Sequence, residues 1–335
     1  MPATEICITI DTEFSIGGAF ADPESRRPIA EERVTCPANG KENGLGFLLA
    51  CFEEFGIKAT FFVEALNAAY FGDAPMGRIV ERVLGAGHDA ELHLHPCWLY
   101  FRHSDWQRRL AHDKPNDNCD GRTVDELASM ISSGRDMLRK WGAPSPIALR
   151  TGGLRIDRNV HSAMSVTGIR IGSNIGIGWT PPPIVDFAIV GGRRWFGQVL
   201  ELPVLTYTQL KFGQRYLRRL LTITSTSWPE MKSLLWQARR HGISPIIVLT
   251  HPFEFAKGSW SPLKLSPNKI NQGRLRHLCR FIAEHPDDFS SCTFRSGAPD
   301  WLRAGDQSCP QLTVPLPYAA ARMAVNKCND VFRFL

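Results

Sequence analysis

Short runs of apolar residues alternate with longer amphipathic segments along most of this chain. Residues 6–10 form a β-branched run that ends at Asp11 and predicts a buried strand. Residues 44–55 have apolar positions at helical spacing, and Gly56 ends that pattern. Residues 57–63 then predict a second strand. The first part of the chain therefore predicts a strand, a helix and another strand in succession.

The same alternation continues to about residue 300. The predicted helices are 76–86, 123–141, 159–166, 230–241 and 274–284, and the predicted strands are 89–95, 146–149, 169–172, 199–205, 245–250 and 292–294. Strands that alternate with helices at this spacing are typical of a parallel sheet with crossover helices. Because about seven or eight such units follow one another without a linker, we expect an α/β fold with a closed or nearly closed (β/α) barrel.

This barrel pattern accounts for residues 1–302, which we expect to form one domain. Residues 303–335 follow the last strand and helix unit, include three prolines, and contain none of the candidate site residues described below. We therefore expect a C-terminal tail that is peripheral to the barrel. Truncation after Arg303 should then leave a folded protein.

Composition and charge exclude some classes of function. Hydrophobic residues make up 43% of the 335 positions and charged residues 21%, as in a globular protein with a substantial core. The net charge is +6, and the basic residues form only short clusters, at 193–194 and 215–219. Such clusters argue against nucleic acid as a partner. A mild positive field would suit an anionic substrate, such as a phosphate-linked sugar or an acidic polysaccharide.

The cysteines and the first residues of the chain indicate the cellular compartment in which the protein is expected. The nine cysteines are scattered, with no CxxC pair, which is typical of reduced thiols in a cytoplasmic protein. The first residues have no basic region, and no run of eighteen apolar residues predicts a membrane span. We therefore expect a cytoplasmic protein without integral membrane association.

Polar residues occur where the predicted strands end. In a parallel barrel these carboxyl ends meet at one edge, which is where such folds place their chemistry. Residues two apart on a strand share a face, so paired side chains can point at one place. The residues at these positions are Asp11 and Glu13, His93 and His95, Arg150, and His251.

Two histidines and one carboxylate, with positions left for water and substrate, are the usual ligands of a catalytic divalent metal. His93 and His95 together with an acid from the first strand therefore predict a metal site. A glycosidase would instead need two carboxylates several ångströms apart and no metal. The histidine pair argues against that class.

Four segments of the chain resemble the motifs of the NodB-like polysaccharide deacetylases, carbohydrate esterase family four. These segments are Thr9-Ile-Asp-Thr-Glu13, Gly87-His-Asp-Ala-Glu-Leu-His-Leu-His-Pro96, Arg150-Thr-Gly-Gly153 and Val248-Leu-Thr-His-Pro252. The segment 56–63 also resembles the second strand of that family. The matches occur in order over residues 5–300, and they are similar to those of the intracellular branch of the family, which acts on sugars of envelope or surface polysaccharides.

This resemblance implies a fold, an activity and a set of roles. The fold would be a distorted (β/α) barrel of the NodB-homology type with about seven parallel strands. The activity would be metal-dependent removal of an N-acyl group, with N-acetyl the first expectation, from an amino sugar of polysaccharide or cell-envelope glycan metabolism. The carbohydrate substrate could be phosphate-linked or lipid-linked. The implied ligands of a divalent cation, with Zn²⁺ expected, are Glu13, His93 and His95.

The resemblance also implies the catalytic residues. Asp11 would be the general base, held by an ion pair with Arg150, and His251 would give a proton to the leaving amine. Asp11 and Glu13 could exchange roles. The alternatives in function are a deformylase or another C–N hydrolase on the same barrel, and a catalytically inactive carbohydrate-binding protein.

The chain departs from the family pattern in several places. The second-motif histidines are two residues apart rather than four, and Cys97 occupies the usual second position, which makes it the alternative ligand to His95. The fourth motif, an acid that orients the late histidine, has only Asp186 as a weak candidate. The sequence leaves the sugar, the acyl group, the metal and the oligomeric state open.

One inserted segment and several tryptophans are further candidates for the substrate pocket. Residues 99–122 follow the metal-binding strand directly and mix aromatic residues with arginines, including Trp106, Arg108 and Arg109. Aromatic faces suit sugar rings, and arginines suit phosphate or carboxylate groups. An ordinary solvated loop is nearly as good an interpretation. Core packing is the better interpretation for any one of the remaining tryptophans considered, although some could stack on a sugar: Trp98, Trp179, Trp195 and Trp260.

Overall fold

The apolar runs of the sequence form the strands of one curled sheet and several small ones. The computed structural model describes residues 2–178, 184–212 and 215–331. Trp179 lies outside the described residues. The strands are β1 Thr4–Thr12, β2 Pro37–Ala38, β3 Lys41–Glu42, β4 Thr60–Glu64, β5 Asp89–Leu94, β6 Ala148–Thr151, β7 Ile171–Gly172, β8 Gly192–Phe196, β9 Val199–Glu201, β10 Thr206–Phe212, β11 Arg215–Leu220, β12 Ile246–Thr250, β13 Ala256–Trp260, β14 Leu263–Pro267, β15 Phe289–Ser291, β16 Gln307–Ser308 and β17 Leu312–Thr313.

The helices occupy the amphipathic segments between these strands. They are α1 Glu31–Thr35, α2 Leu45–Phe55, α3 Ala68–Phe71, α4 Ala74–Gly85, α5 Trp106–Arg109, α6 Val124–Lys140, α7 Arg158–Thr167, α8 Trp228–Arg240, α9 Lys269–Glu284, α10 Phe294–Trp301 and α11 Leu316–Val331. Thr123 and Glu126 form the predicted capping box of α6. None of the described helices combines the length and apolar character that a membrane crossing requires.

The main sheet has the order β12-β1-β4-β5-β6-β7-β9-β8-β16, and β15 also pairs with β1. The neighbours from β12 to β9 are all parallel, whereas β8 is antiparallel to β9 and to β16. A parallel bridge between Val204 and Ile247 joins the segment after β9 to β12 at the other end of this order. The sheet therefore curls towards closure, and the predicted distorted (β/α) barrel with about seven parallel strands is confirmed.

Alternate residues of each barrel strand face two different cores. On β1 the even positions, such as Ile6 and Ile8, pack with the helices in the larger core. The odd position Cys7 belongs to the smaller core inside the barrel, with Phe62 of β4 and Ile247 of β12. Successive side chains of a strand point to opposite faces, so each strand has one helix-facing and one interior row. The interior rows end at the carboxyl edge of the sheet.

Some elements differ from the sequence prediction. A strand was expected at 292–294, but β15 ends at Ser291, and Thr293 caps the start of α10 through a hydrogen bond from Ser296 N. The hairpins β10–β11 and β13–β14 were also not predicted. Their short strands have polar residues on both faces, so apolar periodicity gives little signal for them.

The C-terminal tail, which we expected to be peripheral, contacts the rest of the chain through two short strands and a helix. Strand β16 extends the main sheet through β8, and β17 pairs with β10. Helix α11 packs against α8, where the buried Arg322 lies 3.0 Å from the equally buried Glu230 carboxylate. A tail that supplies the partner of a buried acid contributes to the stability of the barrel, because an unpaired buried charge is costly.

Candidate metal and catalytic site

The side chains that face the barrel interior on five strands bring the candidate residues together at the carboxyl edge of the sheet. Phe62 and Cys7 lie inside the barrel, and the same parity along β1 continues through Thr9 and Asp11 to Glu13. In register, Glu64 of β4 pairs with His93 of β5, and His93 pairs with Arg150 of β6. His251 directly follows β12, whose residue Leu249 is also interior. All six predicted site residues therefore lie at this edge: Asp11, Glu13, His93, His95, Arg150 and His251.

Asp11 and Arg150 form a buried ion pair across the interior. Arg150 Nη1 donates to Asp11 Oδ1 at 2.7 Å and to Thr9 Oγ1 at 2.9 Å. Its other nitrogens donate to the carbonyl and hydroxyl oxygens of Ser173, and its guanidinium lies 4.2 Å from the centroid of the Phe62 ring. A fully buried arginine with all these contacts holds the carboxylate in one orientation. The predicted pair is present, and Asp11 Oδ2 remains available for other contacts.

Glu13, His93 and His95 form a cluster with the chemistry of a divalent metal site. Glu13 Oε2 lies 2.7 Å from His95 Nε2 and 3.4 Å from His93 Nε2. The ligand atoms of the three residues are all within 4.8 Å of one another. Two imidazoles and a carboxylate fit Zn²⁺ or a similar ion. The donor set therefore suits the metal that the resemblance implies.

The Nδ1 atoms of both imidazoles form hydrogen bonds to acceptor oxygens. His93 Nδ1 bonds the Arg150 carbonyl oxygen at 2.9 Å, and His95 Nδ1 bonds Asp117 Oδ2 at 2.7 Å. Because a carbonyl or carboxylate oxygen only accepts, Nδ1 carries a proton in each ring, and Nε2 is the nitrogen that faces Glu13 and would bind a metal. This is the arrangement that orients metal-binding histidines.

Gly152 makes room for the second imidazole. A Cβ built at this position would lie 2.5 Å from His95 Cε1 and 2.6 Å from its Nδ1, which is closer than real contacts allow. The glycine that follows Arg150 and Thr151 in the third motif is therefore required by the packing of the His95 ring. Any side chain here would displace His95 from Glu13.

Glu13 and His95 shift each other's pKa in the directions expected for a carboxylate paired with a positive charge. Burial acts to raise the pKa of Glu13, but the charge of His95 and the hydrogen bonds from both histidines lower it well below its usual range. Burial acts in the opposite sense on His95, where Glu13 and Asp117 together raise the pKa well above its usual value. The site therefore favours a negative carboxylate beside positive charge, whether from protonated imidazole or from a cation.

His251 is oriented by Glu254 and not by Asp186. His251 Nδ1 lies 3.0 Å from Glu254 Oε1, and Glu254 Oε2 accepts from Thr250 Oγ1 at 2.6 Å. The weak candidate Asp186 is instead exposed and paired with Arg158 at 3.3 Å. Although burial opposes it, the Glu254 carboxylate raises the pKa of His251 to about 9. Sequence reasoning missed Glu254, although its position three residues after His251 was a usable local signal.

His251 Nε2 faces the same carboxylate oxygen as His93. The distance to Asp11 Oδ2 is 3.9 Å from His251 Nε2 and 4.0 Å from His93 Nε2. These separations are too long for direct hydrogen bonds. Asp11 Oδ2 therefore lies between the candidate metal cluster and a protonated imidazole, which is a suitable place for a general base.

Asp117 is a second residue that the sequence reasoning missed. It belongs to the inserted segment 99–122, so this segment does reach the site, but through an acid that bonds His95 and the backbone N of Cys97. Two of the three residues singled out there, Trp106 and Arg109, have other contacts. Trp106 is buried against Phe101, and Arg109 pairs with Asp105 on the surface.

Cys97, the alternative to His95, has a thiol suited less well to metal binding. Burial and the nearby charge of Asp117 raise the pKa of the Cys97 thiol well above its usual range. His95, Cys97 and Asp117 do form a second cluster of close ligand atoms. A thiol that keeps its proton is a poor ligand, because metals bind the thiolate. The geometry around Glu13 therefore favours His95.

Glu64 is a further buried carboxyl at this edge. It has no exposed surface, and its oxygens accept hydrogen bonds from the backbone N of Leu66 and Asn67 at 2.8 Å each. Burial raises the pKa of Glu64 to about 8. Glu64 lies two residues after Phe62 on β4, so it faces the barrel interior as Phe62 does. The alternation of side chains along this strand could have identified it from the sequence.

Comparison with solved structures identifies the architecture. A presumed polysaccharide deacetylase from Mycobacterium smegmatis superposes with a TM-score of 0.52 over 93% of this chain and 97% of its own, at 14% identity. The chain has the fold of polysaccharide deacetylases. At this level of identity the likeness establishes the fold alone.

Two other similar structures cover most of this chain with TM-scores below 0.5. A family 4 carbohydrate esterase from Streptomyces lividans matches with a TM-score of 0.45 and 10% identity, covering 93% of this chain and all of its own. A family 4 pseudoenzyme from Bacillus anthracis matches with a TM-score of 0.44 and 9% identity, covering 94% and 71%. No protein-family model and no curated protein matches the sequence.

Proposed function

We propose that this chain is a metal-dependent hydrolase that removes an N-acyl group, with N-acetyl the first candidate, from an amino sugar of polysaccharide or envelope glycan metabolism. The observation that carries the proposal is the convergence of two groups at one barrel edge. Asp11, which is paired with Arg150, lies 4.0 Å from His93 of the cluster formed by Glu13, His93 and His95. His251 lies 3.9 Å from the same Asp11 carboxylate. A protein that only binds carbohydrate has no need of this combination.

The three cluster residues are proposed to hold a divalent cation, with Zn²⁺ as the expected ion. Their Nε2 and carboxylate atoms converge, and their Nδ1 protons are fixed by Arg150 O and Asp117. The chemistry that a bound cation supplies is polarisation of a carbonyl oxygen and greater acidity of a nearby water.

Asp11 is the proposed general base. Its Oδ1 is occupied by Arg150, so only Oδ2 is free to take a proton from the attacking water. The ion pair prevents the carboxylate from rotating away. Glu13 is the less suitable base, since its own oxygen already lies against both imidazoles.

His251 is the proposed general acid. Glu254 holds the Nδ1 proton, and the raised pKa of about 9 keeps the ring positively charged at neutral pH. The Nε2 proton can then pass to the leaving amine as the C–N bond breaks, so that the amino sugar leaves neutral. The products are a carboxylic acid and the free amine.

The proposal is tested by a substrate screen of the purified protein. N-acetyl amino sugars in free, nucleotide-linked, lipid-linked and oligomeric forms are incubated with enzyme, and released acetate is measured. Parallel N-formyl sugars test the alternative of a deformylase. Release of no acyl group from any of them, by a protein that holds stoichiometric metal, would contradict the proposed hydrolase. A well-folded protein that never holds stoichiometric metal would point to the carbohydrate-binding alternative.

The metal site is tested separately by replacing one ligand. His93→Ala should abolish metal retention after dialysis with little loss of fold, because a ligand at a strand end contributes mostly to the site. His103→Ala is a matched control, since His103 is exposed in the inserted segment. Metal content is measured by elemental analysis and folding by circular dichroism. Full metal occupancy in His93→Ala would show that the ligand assignment is wrong.

A further inference from the structure

Arg33 places a guanidinium against two aromatic rings beside the candidate site. It belongs to the short helix α1, and its Cζ lies 3.5 Å from the centroid of the Phe253 ring and 4.6 Å from that of Trp260. The side chain is partly buried by these contacts. These aromatic rings support the flat face of the guanidinium, while its N–H donors lie along its edges.

Phe253 connects Arg33 to the proposed acid. The Phe253 ring is 4.8 Å from the His251 ring, so the guanidinium is separated from the acid by a single aromatic side chain. Helix α1 is held on this turn, where Cys36 Sγ donates to the Pro252 carbonyl oxygen at 3.6 Å. Arg33 therefore lies at the rim of the site in a defined position.

The charges around Arg33 are those of the site itself. Burial lowers the pKa of Arg33, while the carboxylates of Glu13 and Glu254 act to raise it. The guanidinium is thus within electrostatic reach of a proposed metal ligand and of the residue that orients His251. Yet among residues 2–178, 184–212 and 215–331, no carboxylate or carbonyl accepts a hydrogen bond from it.

Arg33 differs from Arg150, whose guanidinium nitrogens all donate hydrogen bonds within the protein. The Arg150 guanidinium also lies over an aromatic ring, but its nitrogens donate to Thr9, Asp11 and Ser173, and no part of it is exposed. Arg33 also lies against aromatic rings, but in the described part of the chain its guanidinium has no hydrogen-bond acceptor. An arginine held flat, with free donor edges beside a catalytic site, suits a planar or tetrahedral oxyanion.

We propose that Arg33 binds an anionic group of the substrate, a phosphate or a carboxylate, next to the amino sugar whose acyl group is removed. This inference rests on the proposed function for the nature of the sugar, and it narrows the substrate class to negatively charged amino sugars. Arg33 is then a specificity-determining residue that contributes to substrate binding and not to bond cleavage.

The test measures binding, so it does not depend on turnover. Isothermal titration calorimetry compares N-acetylglucosamine with N-acetylglucosamine 1-phosphate and with N-acetylmuramic acid, which carries a carboxylate. Wild-type protein should bind one of the two anionic sugars at least about tenfold more tightly than the neutral one, as expected for a charge-assisted hydrogen bond. Which anionic sugar is preferred tells phosphate from carboxylate.

Two variants at Arg33 and one control complete the experiment. Arg33→Gln should lose the preference for the anionic sugar and bind the neutral one as before, whereas Arg33→Lys should keep part of it. The control Arg240→Gln removes the same charge at the end of α8, on the side where β12 begins, and should retain the full preference.

The outcomes separate this inference from the proposed function. A preference that depends on Arg33, in a protein that releases no acyl group, would support the anion site and contradict the hydrolase. Deacetylation with equal affinity for neutral and anionic sugars would overturn the anion site alone. Failure of both anionic sugars to bind at millimolar concentration, or full retention of the preference in Arg33→Gln, would also overturn it.

Discussion

Replacing Glu254 by Gln should move the alkaline limit of activity to lower pH. The substitution keeps an oxygen that can accept from Thr250 Oγ1, but it removes the negative charge 3.0 Å from His251 Nδ1. If His251 is the general acid, the reaction needs its protonated ring. Activity should therefore be present below the pKa of His251 and fall as the pH rises through it.

The size of this effect follows from the contacts of His251. Burial is the largest single effect and lowers the pKa of His251. The pKa reaches about 9 because the charge and hydrogen bond of Glu254, together with smaller contributions from Asp11 and Glu13, outweigh burial. Because those two acids remain in the variant, the pKa should fall by about one to two pH units. The decline in kcat would then be centred between about pH 7 and 8 in Glu254→Gln, against about pH 9 in the wild type.

Two measurements check this expectation. Acetate release between pH 5 and 10 gives the pH profile, and NMR titration of the His251 ring protons gives the pKa without requiring turnover. Glu284→Gln removes a charge at the exposed end of α9 and should change neither. If the ring pKa falls in Glu254→Gln while the alkaline limit of kcat does not move, His251 is not the general acid.

Three further predictions concern the base, the packing of a ligand and the tail. Asp11→Asn should keep the metal but lose activity by about a hundredfold or more, because an amide cannot accept the proton of water; near-normal turnover would contradict the base role. Gly152→Ala should weaken metal retention, measured by competition with a chelator, because the added Cβ displaces His95. Truncation after Arg303 should lower the melting temperature or give an insoluble product, since it leaves Glu230 buried without its guanidinium partner; an unchanged melting temperature would support a peripheral tail.

Much of the site was predictable because it depends on local regularities. The alternation of side chains along a strand and the common direction of parallel strands are properties of short segments. Residues at the carboxyl ends of β1, β5, β6 and β12 must therefore meet at one edge, whatever the loops do. This is why Asp11, Glu13, the two histidines, Arg150 and His251 could be assigned together from the sequence and are found together in the structure.

The partners of these residues were decided by the tertiary structure. Asp117 reaches His95 from a point 22 positions further along the chain, through an irregular segment whose path no periodicity describes. Asp186 was a candidate acid, but its loop ends on the surface beside Arg158, and Glu254 takes its place. Likewise, Arg33 meets Phe253 and Trp260 only because α1 packs on the turn after β12. Strand faces follow from bonding geometry within a few residues, whereas the choice among several carboxylates or aromatic rings depends on loop paths and packing across the whole barrel.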